Sequence, residues 1–168
     1  MEHKRPAKVP IRADAELDEL DLKILALLLT DGRLSFREMA REFHTSTSTV
    51  SSRVARLEKA GIIEGYTARV NFEALGYDLT AVTEIVVSKG KLAQTEAEIA
   101  KLPGVCAVYD VTGEKDGIIV AKFRKRAELS GFAKGLLSMP HVEHADTHVV
   151  LATVKEDFHV PLWLASTD

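Results

Sequence analysis

Two short runs, Leu102-Pro103-Gly104-Val105 and Met139-Pro140-His141-Val142, stand 37 residues apart. In each, the proline closes an amphipathic segment and the valine opens an extended one. Proline lacks the amide that a helix interior needs, and it steers the preceding residue away from helix. The segments that end there are Leu92–Leu102, with Ile99 inward, and Ala127–Met139, with Leu129, Phe132, Leu136 and Leu137 inward. Each follows a β-rich run, Val82–Val87 and Ile118–Phe123, and Gly113–Gly117 has the composition of a hairpin turn between the halves. The predicted order is β-α-β-β-α-β. Two split βαβ units with right-handed crossovers form a four-stranded antiparallel sheet with both helices on one face, a ferredoxin-like sandwich. Tyr109, Val111, Val120 and Val149–Leu151 then leave apolar surface on the other face, which predicts a partner subunit there.

The first half has a different period. Asp18 is placed to cap a helix, with Asp21 at its third position, Ile24, Leu25 and Leu28 on one face, and Gly32 just past its end. Ser35 and Glu38 form a capping box for a short second helix with Met39, Ala40 and Phe43 inward. His44 and Thr45 make the turn, and Ser46 caps a third helix that runs to about Ala60 and stops at Gly61. Ile62–Asn71 reads as a strand with Tyr66, Ala68 and Val70 on one side, and Phe72–Gly76 as a turn or short helical piece. The expected class is α+β: a tail at 1–16, a helix-turn-helix domain at 17–61, a linker at 62–76, a βαββαβ domain at 77–157 and a tail at 158–168. A chain of 168 residues, 46% hydrophobic, is long enough to bury both cores.

Seven of the eight side chains from Thr45 to Ser52 are hydroxyls, broken only by Val50. Capping needs one or two. In a helix-turn-helix the second helix meets base edges with its N-terminal residues. Ser46 is then the cap, and Thr47, Ser48, Ser51 and Ser52 are candidates for phosphates or bases. Val50, Val54 and Leu57 face the protein, and Arg53 and Arg56 add charge. Arg53 has two open roles, a phosphate contact or an ion pair with Asp21. The bulk charge by itself argues against a general nucleic-acid binder, but affinity depends on the charges at the contact face. The chain carries -3 overall, but residues 1–70 hold 12 Lys and Arg against 11 Asp and Glu.

These residues resemble the Lrp/AsnC, or feast/famine, regulators. The resemblance rests on Leu17-Asp18…Asp21, Asp31-Gly32-Arg33, Ser46…Val50…Arg53…Leu57-Glu58 and Gly61-Ile62-Ile63 in the first half. In the second half it rests on Gly113…Asp116 and on Val149–Asp157 followed by Pro161-Leu162. It implies a sequence-specific regulator of transcription that binds double-stranded DNA as a homodimer, tetramer or octamer and senses an amino acid or similar small molecule. The implied effector residues are Gly113, Asp116, Gly117, Thr147 and His148, with Asp116 taking an ammonium group. By itself the Gly113–Gly117 stretch is equally a plain hairpin turn. The chain departs from the family at three places. His44 stands where the turn glycine usually is, which predicts a strained or left-handed turn there. Thr45 replaces an apolar residue, and Gly117 replaces a larger one.

Other classes fare worse. His144 and His148 share a strand face but lie roughly 13 Å apart along it, too far for one ion, so no metal or other cofactor is expected. An Lrp-like haem-pathway decarboxylase, the enzyme alternative, would need a His- and Tyr-rich second strand. Val105–Gly113 contains no His, Arg or Trp. A non-DNA interaction module is the third reading. No apolar run approaches 18 residues, so no membrane span is expected. The single Cys106 suits a reducing cytoplasm.

Overall fold

The computed structural model describes residues 17–160 and 162. The basic tail at 1–16, and Pro161 with residues 163–168 of the C-terminal tail, lie outside these. The chain divides into two compact units, the second running Val70–Glu156.

The first unit holds α1 (Glu19–Thr30), α2 (Phe36–Glu42) and α3 (Thr47–Lys59). Asp18 and Ser35 each close a complete capping box, with Asp21 and Glu38 as the reciprocal partners. The helices bury Ile24, Met39, Ala40, Val50, Val54 and Leu57 in one core, with Leu25, Leu28 and Phe43 half-buried against it. Residues 62–71 carry no strand, contrary to the sequence expectation. Alternation alone cannot make a strand; it needs a ladder partner, and among the described residues none lies beside this segment. Tyr66 and Val70 remain about half exposed, and the Tyr66 hydroxyl donates to Glu58 at 2.9 Å.

The second unit opens with a 3₁₀ turn, Glu73–Leu75. It continues through β1 (Leu79–Val87), α4 (Leu92–Ile99), β2 (Val105–Asp110), β3 (Gly117–Phe123), α5 (Arg126–Leu137) and β4 (Val142–Val149). The sheet order is β2-β3-β1-β4, antiparallel throughout, as expected for the ferredoxin-like arrangement. Ala81, Thr83, Ile85 and Val87 alternate along β1 and are buried. With Ile99, Ile119, Ala121, Phe123 and Leu136 they form the core under the helices. Leu137, expected inward, is 56% exposed. It lies one residue beyond the buried Leu136, about 100° further round the helix.

The repeat seen in the sequence is also a repeat of backbone conformation. Gly104 and His141 both adopt left-handed φ values, 85° and 77°. Their carbonyls accept equivalent bonds, from the Lys122 amide at 2.8 Å and the Ser88 amide at 2.9 Å. The two sites differ in space. A Cβ at position 104 would stand 2.6 Å from the Lys122 carbonyl oxygen. Two other glycines have no such reason. Gly131 and Gly135 sit within α5 with nothing within 4 Å of an added Cβ. Each costs the helix about 1 kcal/mol relative to Ala.

Gly104→Ala should therefore destabilise the domain by at least about 1–2 kcal/mol from the left-handed backbone alone, with the carbonyl clash added. His141→Gly relieves strain while freeing the unfolded chain, and should stay within about 1 kcal/mol of wild type. Urea midpoints of the two variants would test the asymmetry; equal losses would contradict it.

Candidate nucleic-acid interface

The site begins with the turn between α2 and α3. His44 adopts φ 51°, the left-handed conformation expected where the family usually has glycine. The Thr45 amide then closes on the Ala40 carbonyl at 2.9 Å, ending α2. Two residues later α3 starts. The Ser46 hydroxyl accepts from the Thr49 amide at 3.0 Å and lies 2.8 Å from the hydroxyls of both Ser48 and Thr49. Ser52 donates back to the Thr49 carbonyl at 2.9 Å. The hydroxyl run is thus divided. Ser46, Ser48 and Thr49 form a cap cluster, Ser52 is tied to its own helix, and the hydroxyls of Thr47 and Ser51 make no hydrogen bond among the described residues.

Helical geometry sorts the same residues by face. Val50, Val54 and Leu57 are buried. Opposite them, at about 100° per residue, stand Ser48, Ser52, Ala55 and Lys59, all exposed, as is Thr47. Ser51 lies on a flank and is half-buried. Ala55 and Lys59 were missed in the sequence, although the period that picked out the buried stripe also fixes its opposite.

Arg53 and Arg56 face elsewhere. Asp21 is fully buried at the start of α1 and accepts from the Asp18 amide at 3.0 Å. Both its oxygens lie 3.3 Å from Arg53 Nη1, and one also pairs with Arg56 Nη2. Asp18 pairs with Arg53 as well. The guanidinium groups are turned onto α1: for Arg53 this is the Asp21 pair, one of the two roles open in the sequence, and for Arg56 it is a partner the sequence did not suggest. A buried carboxylate needs partners, and these two arginines are within reach. Two other arginines were overlooked. Arg37 and Arg41 lie four apart on α2, both exposed, with no ion-pair partner among the described residues.

The hairpin residues are also partly occupied. β3 ends its pairing with β1 at Gly117 opposite Ile85, which leaves the Val87 amide beyond the ladder. The Asp116 carboxylate accepts from that amide at 2.7 Å, and the Asp116 amide donates to the Ile85 carbonyl at 2.9 Å. Gly113 is exposed with φ 127°, whereas Gly117 is buried 3.2 Å from Ile85 at its missing Cβ. Thr147 faces the helices, its hydroxyl 3.0 Å from that of Thr83, while His148 pairs opposite Val82 on the other face. Within one chain these five residues do not converge. His144 contacts Asp146 at 3.1 Å, and Lys115 pairs with the same carboxylate at 2.6 Å, holding it below the usual carboxylate range.

Two family models match: winged helix-turn-helix DNA-binding over residues 17–64, and the Lrp/AsnC ligand binding domain over 80–160. An uncharacterised HTH-type transcriptional regulator of Pyrococcus abyssi is 47% identical over 86% of this chain and 98% of its own length. A Neisseria meningitidis transcriptional regulator, solved as a complex with L-Met, is 33% identical, with a TM-score of 0.80 over 87% of this chain and 97% of that one. Escherichia coli AsnC superposes with a TM-score of 0.79 at 26% identity, over 84% and 96% of the two chains.

The α1 cluster makes a pH prediction. The Asp21 amide first, and then Arg53, hold the Asp18 carboxyl below its ordinary value of 3.8. A depressed carboxylate contributes stability above its ordinary value and loses it as pH falls through the folded one. Asp18→Asn retains a capping oxygen but cannot titrate. Its acid denaturation should begin from a lower stability and show a shallower limb below about pH 4. An unchanged acid limb would mean the ion pair contributes nothing.

Proposed function

This chain belongs to the Lrp/AsnC family of transcriptional regulators, and we propose that it reads its operator with the outer face of α3. The observation that carries this reading is the division of that helix. Its back is fixed by Val50, Val54, Leu57 and the Asp21 cluster, and its front offers only small side chains plus one lysine. Such a face enters a major groove without steric cost. Thr47, Ser48, Ser51 and Ser52 meet bases or phosphates there, and Ala55 suits a thymine methyl. Arg37, Arg41 and Lys59 supply phosphate contacts, since α2 of such a motif crosses the backbone. Arg53 and Arg56 act by positioning α3. Among the described residues no helix is long and apolar enough to cross a membrane.

The second unit is the family's ligand-binding domain. We infer that it responds to an amino acid or similar small molecule. The free Asp116 oxygen would receive an ammonium, and a second copy would complete the site. The L-Met complex of the Neisseria relative supports this reading. The open sheet face supports assembly: Val82, Val86, Ile118 and Val120 line it, half-buried, with Tyr109 at its edge 45% exposed. A homodimer covers that face, and tetramers or octamers can follow from it.

Operator DNA selected from a random pool supplies the probe. Ser48→Ala and Ser52→Ala should weaken operator binding by roughly 1–3 kcal/mol with little change on random DNA. Ser46→Ala should instead cost about 1 kcal/mol of folding stability. Arg37→Ala and Arg41→Ala should weaken all sequences together and each lower the salt slope by about one. If the hydroxyl variants keep full operator preference, the run is only a helix start.

Light scattering at micromolar concentration should report more than one chain per particle, and a monomer would remove the basis for a two-fold operator. For the effector, Asp116→Asn is the informative variant. It keeps an oxygen for the Val87 amide and removes the charge. A free amino acid should raise the melting temperature of wild type and not of Asp116→Asn. If none of the twenty shifts wild type, the amino-acid reading falls and the DNA reading stands.

A further inference from the structure

At the far end of β3 from Asp116, roughly 25 Å away at about 3.3 Å per residue, the second unit contains a cavity of about 520 Å³. This size holds a small ligand. Phe123 and Phe132 contribute aromatic surface, their ring centroids 5.1 Å apart, and Leu102 and Met139 add aliphatic surface. Gly131 and Gly135 line the same space. They weaken α5, and no neighbouring atom requires them. Any side chain there would project into open space beside the cavity. The lining therefore keeps room that helix propensity alone would have filled.

The charged groups of the lining are Arg124, Glu128 and Lys122. Lys122 is engaged with Glu156 at 2.9 Å. Glu128 accepts from the Arg124 amide at 3.0 Å, closing the start of α5. The Arg124 guanidinium stacks on the Tyr77 ring, 4.5 Å from its centroid, and makes no hydrogen bond or ion pair within the described chain. Stacking fixes the plane of the guanidinium and leaves its donor edge free, which suits a carboxylate.

We propose that this cavity binds a small organic acid with an apolar body, its carboxylate on Arg124 and its body between Phe123, Phe132 and the glycine face of α5. The site is separate from the Asp116 hairpin and goes beyond the regulator reading, because it does not depend on DNA binding.

The test titrates the full chain with 3-phenylpropanoate, and with 3-phenylpropanamide as the uncharged match, by calorimetry. Saturable binding of one acid per chain is expected, with the amide weaker by on the order of tenfold or more. Arg124→Gln should lose the same factor for the acid and nothing for the amide. Gly131→Leu should abolish binding of both while the melting temperature holds or rises, since leucine favours helix. Asp116→Asn should bind the acid as wild type does. Absence of saturation by about 10 mM, a millimolar limit of weak association, would overturn the proposal. So would equal binding of acid and amide, or undiminished binding by both site variants. A change in particle mass of Gly131→Leu would overturn it too, because the cavity face would then be a contact between copies.

Discussion

The DNA-binding unit depends on one buried carboxylate. Asp21 is fully excluded from solvent, and its partners come from two helices: the Asp18 amide at the start of α1, and Arg53 and Arg56 on α3. Removing a carboxylate from water costs several kcal/mol, which is recovered only when its hydrogen bonds are made with good geometry. The charges therefore favour one seating of α3 on α1. Apolar packing of Val50, Val54 and Leu57 supplies the attraction but tolerates sliding between similar side chains. The buried ion cluster tolerates much less, and it sets which residues of α3 face outward.

This division of labour explains what the sequence disclosed and what it concealed. The caps were legible because each is a local rule: Asp18 with Asp21, Ser35 with Glu38, and Ser46 ahead of an apolar stripe. The left-handed turn at His44 was legible from the residue it replaces in the family pattern. The sheet was legible from two prolines, each ending an amphipathic segment and followed two residues later by a valine that opens a strand. Arg53 and Arg56 were harder. The Arg53–Asp21 pair was one of two roles open in the sequence, and it is the fold that buries Asp21 and adds Arg56, 35 residues away in the chain, as its second partner. Arg37 and Arg41 belong to no capping or apolar pattern, and only the packing of α2 shows that both stay exposed.

The segment 62–71 failed for a related reason. Its alternation is real, and Tyr66 and Val70 remain half exposed. Pairing is a property of two strands, and a sequence pattern describes one. Asp116 was ambiguous in the sequence between a turn residue and a ligand anchor. The structure gives it a backbone partner, Val87, at the point where β1 outruns β3. One carboxylate oxygen serves the fold, so a ligand can engage Asp116 only through what remains. Truncation to alanine would confuse the two roles.

β3 gives the ligand domain two unlike ends. At Gly117 the backbone is packed against Ile85 and Tyr109 so closely that a side chain would need its neighbours to yield. At Phe123 the strand opens instead onto the cavity beneath the glycines of α5. Both ends depend on missing side chains, for opposite reasons: the first closes a space, the second keeps one. The closed end belongs to a hairpin whose polar groups are largely consumed by the fold. The open end retains an arginine whose donors are unused among the described residues. A charged ligand entering one isolated chain therefore meets more unsatisfied hydrogen-bonding capacity at Arg124 than at Asp116.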